Sequence, residues 1–333
     1  MRWCRNCVLP LDFPHVTFDA TGLCSLCRDY EKTVKDREAR KREFAERFKS
    51  LVKEKAGRGP YDVLMCYSGG KDSSYALTLF KETYGLKVLA FTLDNGFLPP
   101  ETFTNIRNVV EKLGVDHVFH KMNFGALKGI FRASLERNLY SPKSMERASA
   151  VCVSCIGFVK YLAFQMAIEK GIPFIGYGWT PGQAPVTSSV LRLEPAMLKQ
   201  MAGALQGPMR EVAGKAVDPY FLSERHFAEP ERFPYLIHPA AFADYDEERV
   251  FKTIEKLGWR RPKGLDANST NCMLNSLAVE NHKARYGFNP YAFELAGLVR
   301  QGYLKREEGL RRVDAKVNPA TVALVKKRLG VKA

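Results

Sequence analysis

No apolar run in the sequence approaches the ~18 residues that cross a bilayer, and no signal-peptide core follows Met1. Membrane insertion is therefore not expected, and the cytoplasm is the expected compartment. Internal repeats and low-complexity tracts are also missing, which argues against solenoid or disordered architectures. Acidic residues are in short supply. The 36 Asp and Glu against 51 Lys and Arg leave a formal charge of +15, a balance that favours polyanions such as RNA, nucleotides or phosphorylated substrates. The G-x-x-x-x-G-K-S/T loop of the common nucleotidases is absent as well.

What is present is ordinary for a globular chain. Across 333 residues, 46% are hydrophobic and 26% charged, enough for two or three modest domains. The first 28 residues carry two Cys pairs separated by sixteen residues that include Pro10, Pro14 and Gly22. A charged segment follows, in which Phe44, Phe48, Leu51 and Val52 recur at helical spacing until Gly57 and Gly59-Pro60. From Tyr61 the rhythm becomes strand, helix, strand. DVLMCY, LKVLAFTL, DHVFHKM and IPFIGYG read as strands, and FPYLIHP at 233–239 as a fifth. The helices between them stop at Gly85, Gly114 and Gly171. Continuous apolar strands alternating with helices predict a doubly wound parallel α/β sheet, with ligands at the carboxyl ends of its strands. YSGGKD, DNG at 94–96 and GWTPGQ at 178–183 fall there.

Residues 180–230 read as an insertion. Met197, Met201, Leu205 and Met209 repeat every four residues, the stripe of a buried helix face or a subunit contact, so a homodimer is compatible with the sequence. The tail from Asn275 reads as helical, with breaks at Gly287 to Pro290 and near Gly302.

The stretch YSGGKDSS closes the first strand and opens a helix. Ser68, Gly69 and Gly70 let the backbone approach a phosphate, with N–H groups and the helix dipole directed at it. Lys71 offers a point charge, Asp72 a ligand for Mg2+, and Ser73 and Ser74 offer hydroxyls or a helix cap. The SGGKDS wording in this context resembles the PP-loop ATP pyrophosphatase superfamily. That resemblance implies ATP cleavage between the α- and β-phosphates, adenylation of a substrate oxygen, and displacement of AMP by nitrogen or sulfur. It also implies that Phe91 to Asp94 lie near the adenosine and that Gly178 helps close the site.

The eight cysteines sort by spacing. Cys4, Cys7, Cys24 and Cys27 form C-x2-C-x16-C-x2-C, the spacing of a zinc ribbon with a structural Zn2+. The opening CRNCVLPLDFPHVTFDATGLCSLC also resembles N-acetyl sugar amidotransferases, which are PP-loop enzymes supplied with ammonia by a partner glutaminase. Cys152 and Cys155 precede an apolar run, and Cys272 lies in NSTNC. They read as packed or redox cysteines, as a persulfide site, or as three ligands of a 4Fe-4S cluster with one iron open. The last pattern resembles the iron–sulfur-dependent PP-loop thiolases of tRNA. GWTPGQAP stands where those thiolases carry a polar, acid-containing turn, and no second ribbon closes the chain. Cys66 reads as core.

The expected organisation is a zinc ribbon at 1–28, a charged linker helix at 29–57, a PP-loop ATP-binding domain at 58–260 and a helical region at 261–333. The expected activity is ATP-dependent adenylation followed by sulfur transfer. An amidotransferase acting on an N-acetyl sugar, or a nucleotide-binding module without turnover, are the alternatives. The acceptor is a small molecule, a sugar or tRNA, with a sulfur donor or a glutaminase as partner. His238, Gln183 and Asn268 to Asn271 are secondary candidates; each also fits a structural role.

Overall fold

The structure is a computed structural model that describes residues 3–332; residues 1, 2 and 333, the outer ends of the expected ribbon and helical region, lie outside it. Short bridges, Trp3 with Pro10 and Phe18 with Cys24, shape the ribbon. It runs into α1 (Ser25–Thr33), and α2 (Arg37–Lys55) follows. Then come β1 (Val63–Cys66), α3 (Lys71–Thr78), β2 (Val88–Asp94), α4 (Pro100–Leu113), β3 (Asp116–Lys121), α5 (Phe124–Glu136) and the short α6 (Pro142–Met145). The long α7 (Ala150–Lys170) leads into β4 (Phe174–Tyr177), β5 (Val190–Arg192), α8 (Pro195–Ala213), α9 (Glu224–Phe227), β6 (Tyr235–Ile237) and α10 (Glu247–Lys256). Four helices close the chain: α11 (Leu274–Tyr286), α12 (Ala292–Arg300), α13 (Arg306–Val313) and α14 (Pro319–Leu329).

One six-stranded sheet, ordered β3-β2-β1-β4-β6-β5, forms the centre, and every pair is parallel except β5 with β6. The apolar runs are continuous because both faces are covered. Leu64, Cys66, Leu89 and Phe91 face one core with α5, α7, α8, α11 and α14. Val63, Met65, Val88 and Ala90 face a second core with α2, α3, α4 and α10. The α/β expectation is met, as are the helical breaks at Gly287 and Gly302, both of which hold positive φ.

Three expectations are corrected. The stripe on α8 is not uniformly buried: Met209 is fully buried, but Met197 and Met201 are 52% and 39% exposed. The inward face is Leu198, Ala202 and Met209, because a true 3.6-residue period drifts off a strict four-residue repeat. The apolar run after Cys155 belongs to a helix that starts at Ala150, so Cys152 and Cys155 sit on its first turns rather than before it. That helix is also long and apolar enough to cross a membrane by length and composition alone, contrary to the opening reading. It is instead a core helix, with Phe158, Tyr161 and Phe164 buried among sheet and helices.

The ribbon shares a third core with the C-terminal helices. Val8, Leu9 and Phe13 pack with Phe288, Ala292, Leu295, Ala296 and Val313, and Arg306 donates to the Cys4 carbonyl at 2.9 Å. Its own sequence is too short to bury much apolar area, so α12 and α13 complete it.

Candidate functional site: a glycine loop and three thiols in one cavity

The loop after β1 is built by close approach. Gly69 has φ +76°, and a Cβ there would fall 2.6 Å from Ile106, so no other residue fits without displacement. A Cβ on Gly178, at the end of β4, would meet the Ser73 backbone at 2.4–2.5 Å. Gly178 is thus the point where the neighbouring strand lets the helix start come down onto the sheet. Ser73 and Ser74 both donate to the Gly70 carbonyl, at 3.1 and 2.8 Å, pinning the first turn of α3. The segment 268–271, read in the sequence as a turn before Cys272, also touches the loop. Thr270 Oγ1 accepts from Lys71 N at 3.0 Å, and Asn271 Nδ2 donates to Ser68 O at 3.3 Å. Trp259 Nε1 adds a bond to Gly69 O at 2.9 Å.

Lys71 lies in a largely buried charge network. Its Nζ is 2.7 Å from Asp72 Oδ1, 3.2 Å from Glu247 Oε1 and 3.3 Å from the Tyr245 hydroxyl. Burial alone would lower its pKa; the Asp72, Tyr245 and Glu247 oxygens outweigh that and raise it above the ordinary lysine value. Arg312 holds Glu247 from the other side. Against the effect of burial, Arg312 and Lys71 bring that carboxyl down to about 2. The loop cation is therefore held in its charged form by the surrounding oxygens and set beside the cradle.

The same cavity, of about 300 Å3, is lined by Ser68, Gly70, Lys71, Asp72 and Ser73 on one side and by Cys152, Cys155 and Cys272 on the other. Ser149 caps α7, its Oγ accepting from Cys152 N at 3.2 Å, which places Cys152 and Cys155 on the inward side of the first turns. Cys272 arrives from the 268–273 segment, fastened by Met273 N to Phe97 O at 2.9 Å. Asn95 Nδ2 lies 3.3 Å from Cys272 Sγ and 3.7 Å from Cys155 Sγ. Burial, with no cation alongside, pushes the Cys152 and Cys155 thiols up to about 11 and 12. This is the opposite of a reactive free thiolate.

The other candidates are held by packing or turn contacts, with Cys66 and Gln183 still on the cavity lining. Phe91 is 1% exposed and belongs to the core beneath the loop, its carbonyl accepting from Tyr67 N. Asp94 closes the turn after β2 through Gly96 N at 2.8 Å and pairs with Lys121 at 3.6 Å. Cys66 is buried at the cavity floor. His238 stacks on Trp179 at 4.5 Å and 6°, and burial lowers its pKa to about 3, the state of a neutral packing histidine. Gln183 Oε1 accepts from Thr180 N at 2.9 Å and closes the 180–183 turn.

Sequence reading missed Glu294 and Tyr291, which have no motif around them; it placed Asn95 at the strand ends within DNG but did not bring it to the thiols. Glu294 reaches the cavity from α12, and Thr180 Oγ1 donates to it at 2.9 Å. Burial first, and the Asp72 carboxylate second, raise its pKa to about 7. A raised carboxyl pKa favours the fold fully below the ordinary carboxylate range, and that contribution disappears as pH rises through about 7. Glu294→Gln keeps an acceptor for Thr180 and stays neutral. It is expected to match the parent in thermal stability near pH 5 and to exceed it by ~1–2 kcal/mol at pH 8, allowing for partial solvent screening. Melting curves at the two pH values check this; equal stability at both contradicts it.

At the ribbon, Cys4, Cys7, Cys24 and Cys27 place all four sulfurs within 4.8 Å of one another. The Cys4–Cys27 and Cys7–Cys24 separations are 3.9 and 3.8 Å. A tetrahedral ion with metal–sulfur bonds of about 2.3 Å spaces its thiolates by about 3.8 Å. A cubane, with an iron under each thiolate, spreads them to roughly 6 Å. The ribbon therefore fits one ion and not a cluster. No other such group of three or more is found among the described residues. Where the ribbon holds such an ion, stripping it with a chelator is expected to cost at least ~3 kcal/mol and lower the melting midpoint by roughly 5 °C or more. An unchanged midpoint in metal-free protein contradicts that.

Fold and site together define an α/β protein with a glycine-rich, lysine–aspartate loop at the carboxyl edge of a parallel sheet, facing three thiols. No family model matches the chain. It is similar to an uncharacterized protein of Methanocaldococcus jannaschii, 23% identical over 317 residues, which cover 95% of this chain and 94% of that one. Among solved structures it is similar to the U34-tRNA thiolase NcsA from Methanococcus maripaludis with its 4Fe-4S cluster. That match has 17% identity, covers 100% of this chain and 99% of the other, and has a TM-score of 0.34. A predicted subunit of a tRNA methyltransferase from Methanocaldococcus jannaschii matches at 14% identity, over 69% and 91% of the two chains, with a TM-score of 0.32.

Proposed function

We propose that the protein is a PP-loop enzyme that adenylates a substrate oxygen with ATP and replaces that oxygen with sulfur. One observation carries the reading: the Ser68–Ser73 loop and Cys152, Cys155 and Cys272 line a single cavity. The loop cradles the pyrophosphate of ATP on backbone N–H groups at the start of α3. Asp72 and Glu294 are the cavity carboxylates available to the accompanying Mg2+, and Lys71 offsets charge developing on the leaving pyrophosphate. The substrate oxygen attacks the α-phosphorus, pyrophosphate leaves, and a sulfur nucleophile then displaces AMP from the activated carbon.

Cys152, Cys155 and Cys272 would hold a 4Fe-4S cluster. Three half-buried thiols on one cavity wall, with Cys66 buried at its floor and no compact four-sulfur set like the ribbon's, suit that group better than zinc. When bound, such a cluster would supply an iron without a protein ligand, a position where a sulfur nucleophile could be held. The ribbon would hold structural Zn2+, on the sulfur spacing above. The formal charge of +15 supports an RNA acceptor, and a cytoplasmic setting suits reduced thiols.

The test follows radiolabelled ATP to AMP with unthiolated tRNA and sulfide under anaerobic conditions, with nucleosides analysed by mass spectrometry. AMP release together with a thionucleoside is expected. Turnover with ammonium and nucleotide-linked N-acetyl sugars, and none with sulfide, would select the amidotransferase instead. ATP binding without pyrophosphate release under either condition would leave a nucleotide-binding module.

A further inference from the structure

Asn95 is 6% exposed and touches two of the three cavity thiols, one 60 and the other 177 residues away in sequence. Its orientation is fixed by the other end of the carboxamide, because Oδ1 accepts from Phe97 N at 2.9 Å. The amide NH2 therefore faces the sulfurs. The turn that carries it is rigid. Gly96 has φ +82°, a Cβ there would meet the Phe124 ring at 2.4 Å, and Asp94 accepts from Gly96 N at 2.8 Å. The bond from Met273 N to Phe97 O ties the Cys272 segment to this same turn.

A plain turn residue would need only the Oδ1 bond, which aspartate or serine also makes. The two N–H···S contacts need an amide. We propose that Asn95 is a positioning residue of the thiol site, whose carboxamide clamps Cys155 and Cys272 and withdraws electron density from both sulfurs. The inference rests on the cluster reading of the site, since hydrogen bonds to ligand sulfurs set cluster potential and retention. Cys152 is outside the clamp; its sulfur faces Asn275 Oδ1 at 3.7 Å.

Asn95→Asp is the informative variant, because it keeps the size and the turn bond and replaces the donor with a carboxylate. Asn95→Ser keeps a neutral turn bond and removes the amide. After anaerobic reconstitution, both should fold with the parent's circular dichroism. Each should show a cluster midpoint more negative than the parent's, with the larger shift in Asn95→Asp, and lose iron to a chelator about 10-fold faster. In cluster-free protein, alkylation read by peptide mass spectrometry should slow about 10-fold at Cys155 and Cys272 in Asn95→Asp. Cys152 should keep its rate as an internal control. Unchanged midpoint, iron retention and alkylation would overturn the role of Asn95. Failure of the parent to bind iron would overturn the cluster reading instead, and the alkylation rates would then decide the clamp alone.

Discussion

Asp72→Ala is expected to remain folded and to form pyrophosphate from ATP ~100-fold or more slowly than the parent, the scale of losing one preorganised electrostatic contact. Asp72 is placed for this by covalent adjacency to Lys71 and by the cavity. Its Oδ1 takes Lys71 Nζ at 2.7 Å and the Tyr245 hydroxyl at 3.1 Å, while its side chain remains a quarter exposed to the cavity. Removing it takes away the proposed Mg2+ ligand and also one of the two carboxylates that restrain Lys71. Stability should fall by only ~1–2 kcal/mol, because Glu247 at 3.2 Å still partners the buried ammonium. Steady-state pyrophosphate release together with a denaturation curve checks both parts. Parent-level turnover would show that the loop serves some purpose other than ATP cleavage.

The second large effect separates activation from sulfur delivery. Cys272→Ser should abolish thionucleoside formation while retaining ATP cleavage within a few-fold of the parent. The substitution changes one atom, and the segment around it is held by contacts that do not involve the sulfur. These are Thr270 to Lys71 N at 3.0 Å, Asn271 to Ser68 O at 3.3 Å and Met273 N to Phe97 O at 2.9 Å. At the proposed cluster site, a loop still in place but lacking the Cys272 thiolate leaves Cys152 and Cys155, too few for a stable cubane. Loss of AMP and thionucleoside in equal measure would mean that Cys272 acts on the loop rather than on sulfur.

The legible parts of the fold and site were those with local signals. The strand β1 could be read because both of its faces are buried, and the loop after it because the SGGKDS string stands between a strand and a helix, whereas the role of Gly178 came only from the resemblance. The ribbon's C-x2-C pairs were legible for the same reason. The thiol contacts of Asn95 and the place of Glu294 were not, because their partners lie 60 to 177 and 114 residues away and only the folded chain brings them together. β5 escaped because three residues at a sheet edge leave too short a pattern, with Arg192 standing over Tyr235 and bonded to three backbone carbonyls instead of continuing an apolar alternation. α7 was read as starting too late because the β-branched Val151 and Val153 are weaker helix formers, whereas the Ser149 cap sets its true start.

The most direct measurement is iron, zinc and acid-labile sulfide per chain in protein purified without oxygen. About one zinc, about four irons and about four sulfides are expected in the parent, with the iron and sulfide lost and the zinc retained in Cys272→Ser. Zinc alone, with Cys152, Cys155 and Cys272 all recovered as free thiols, would contradict cluster-dependent sulfur transfer.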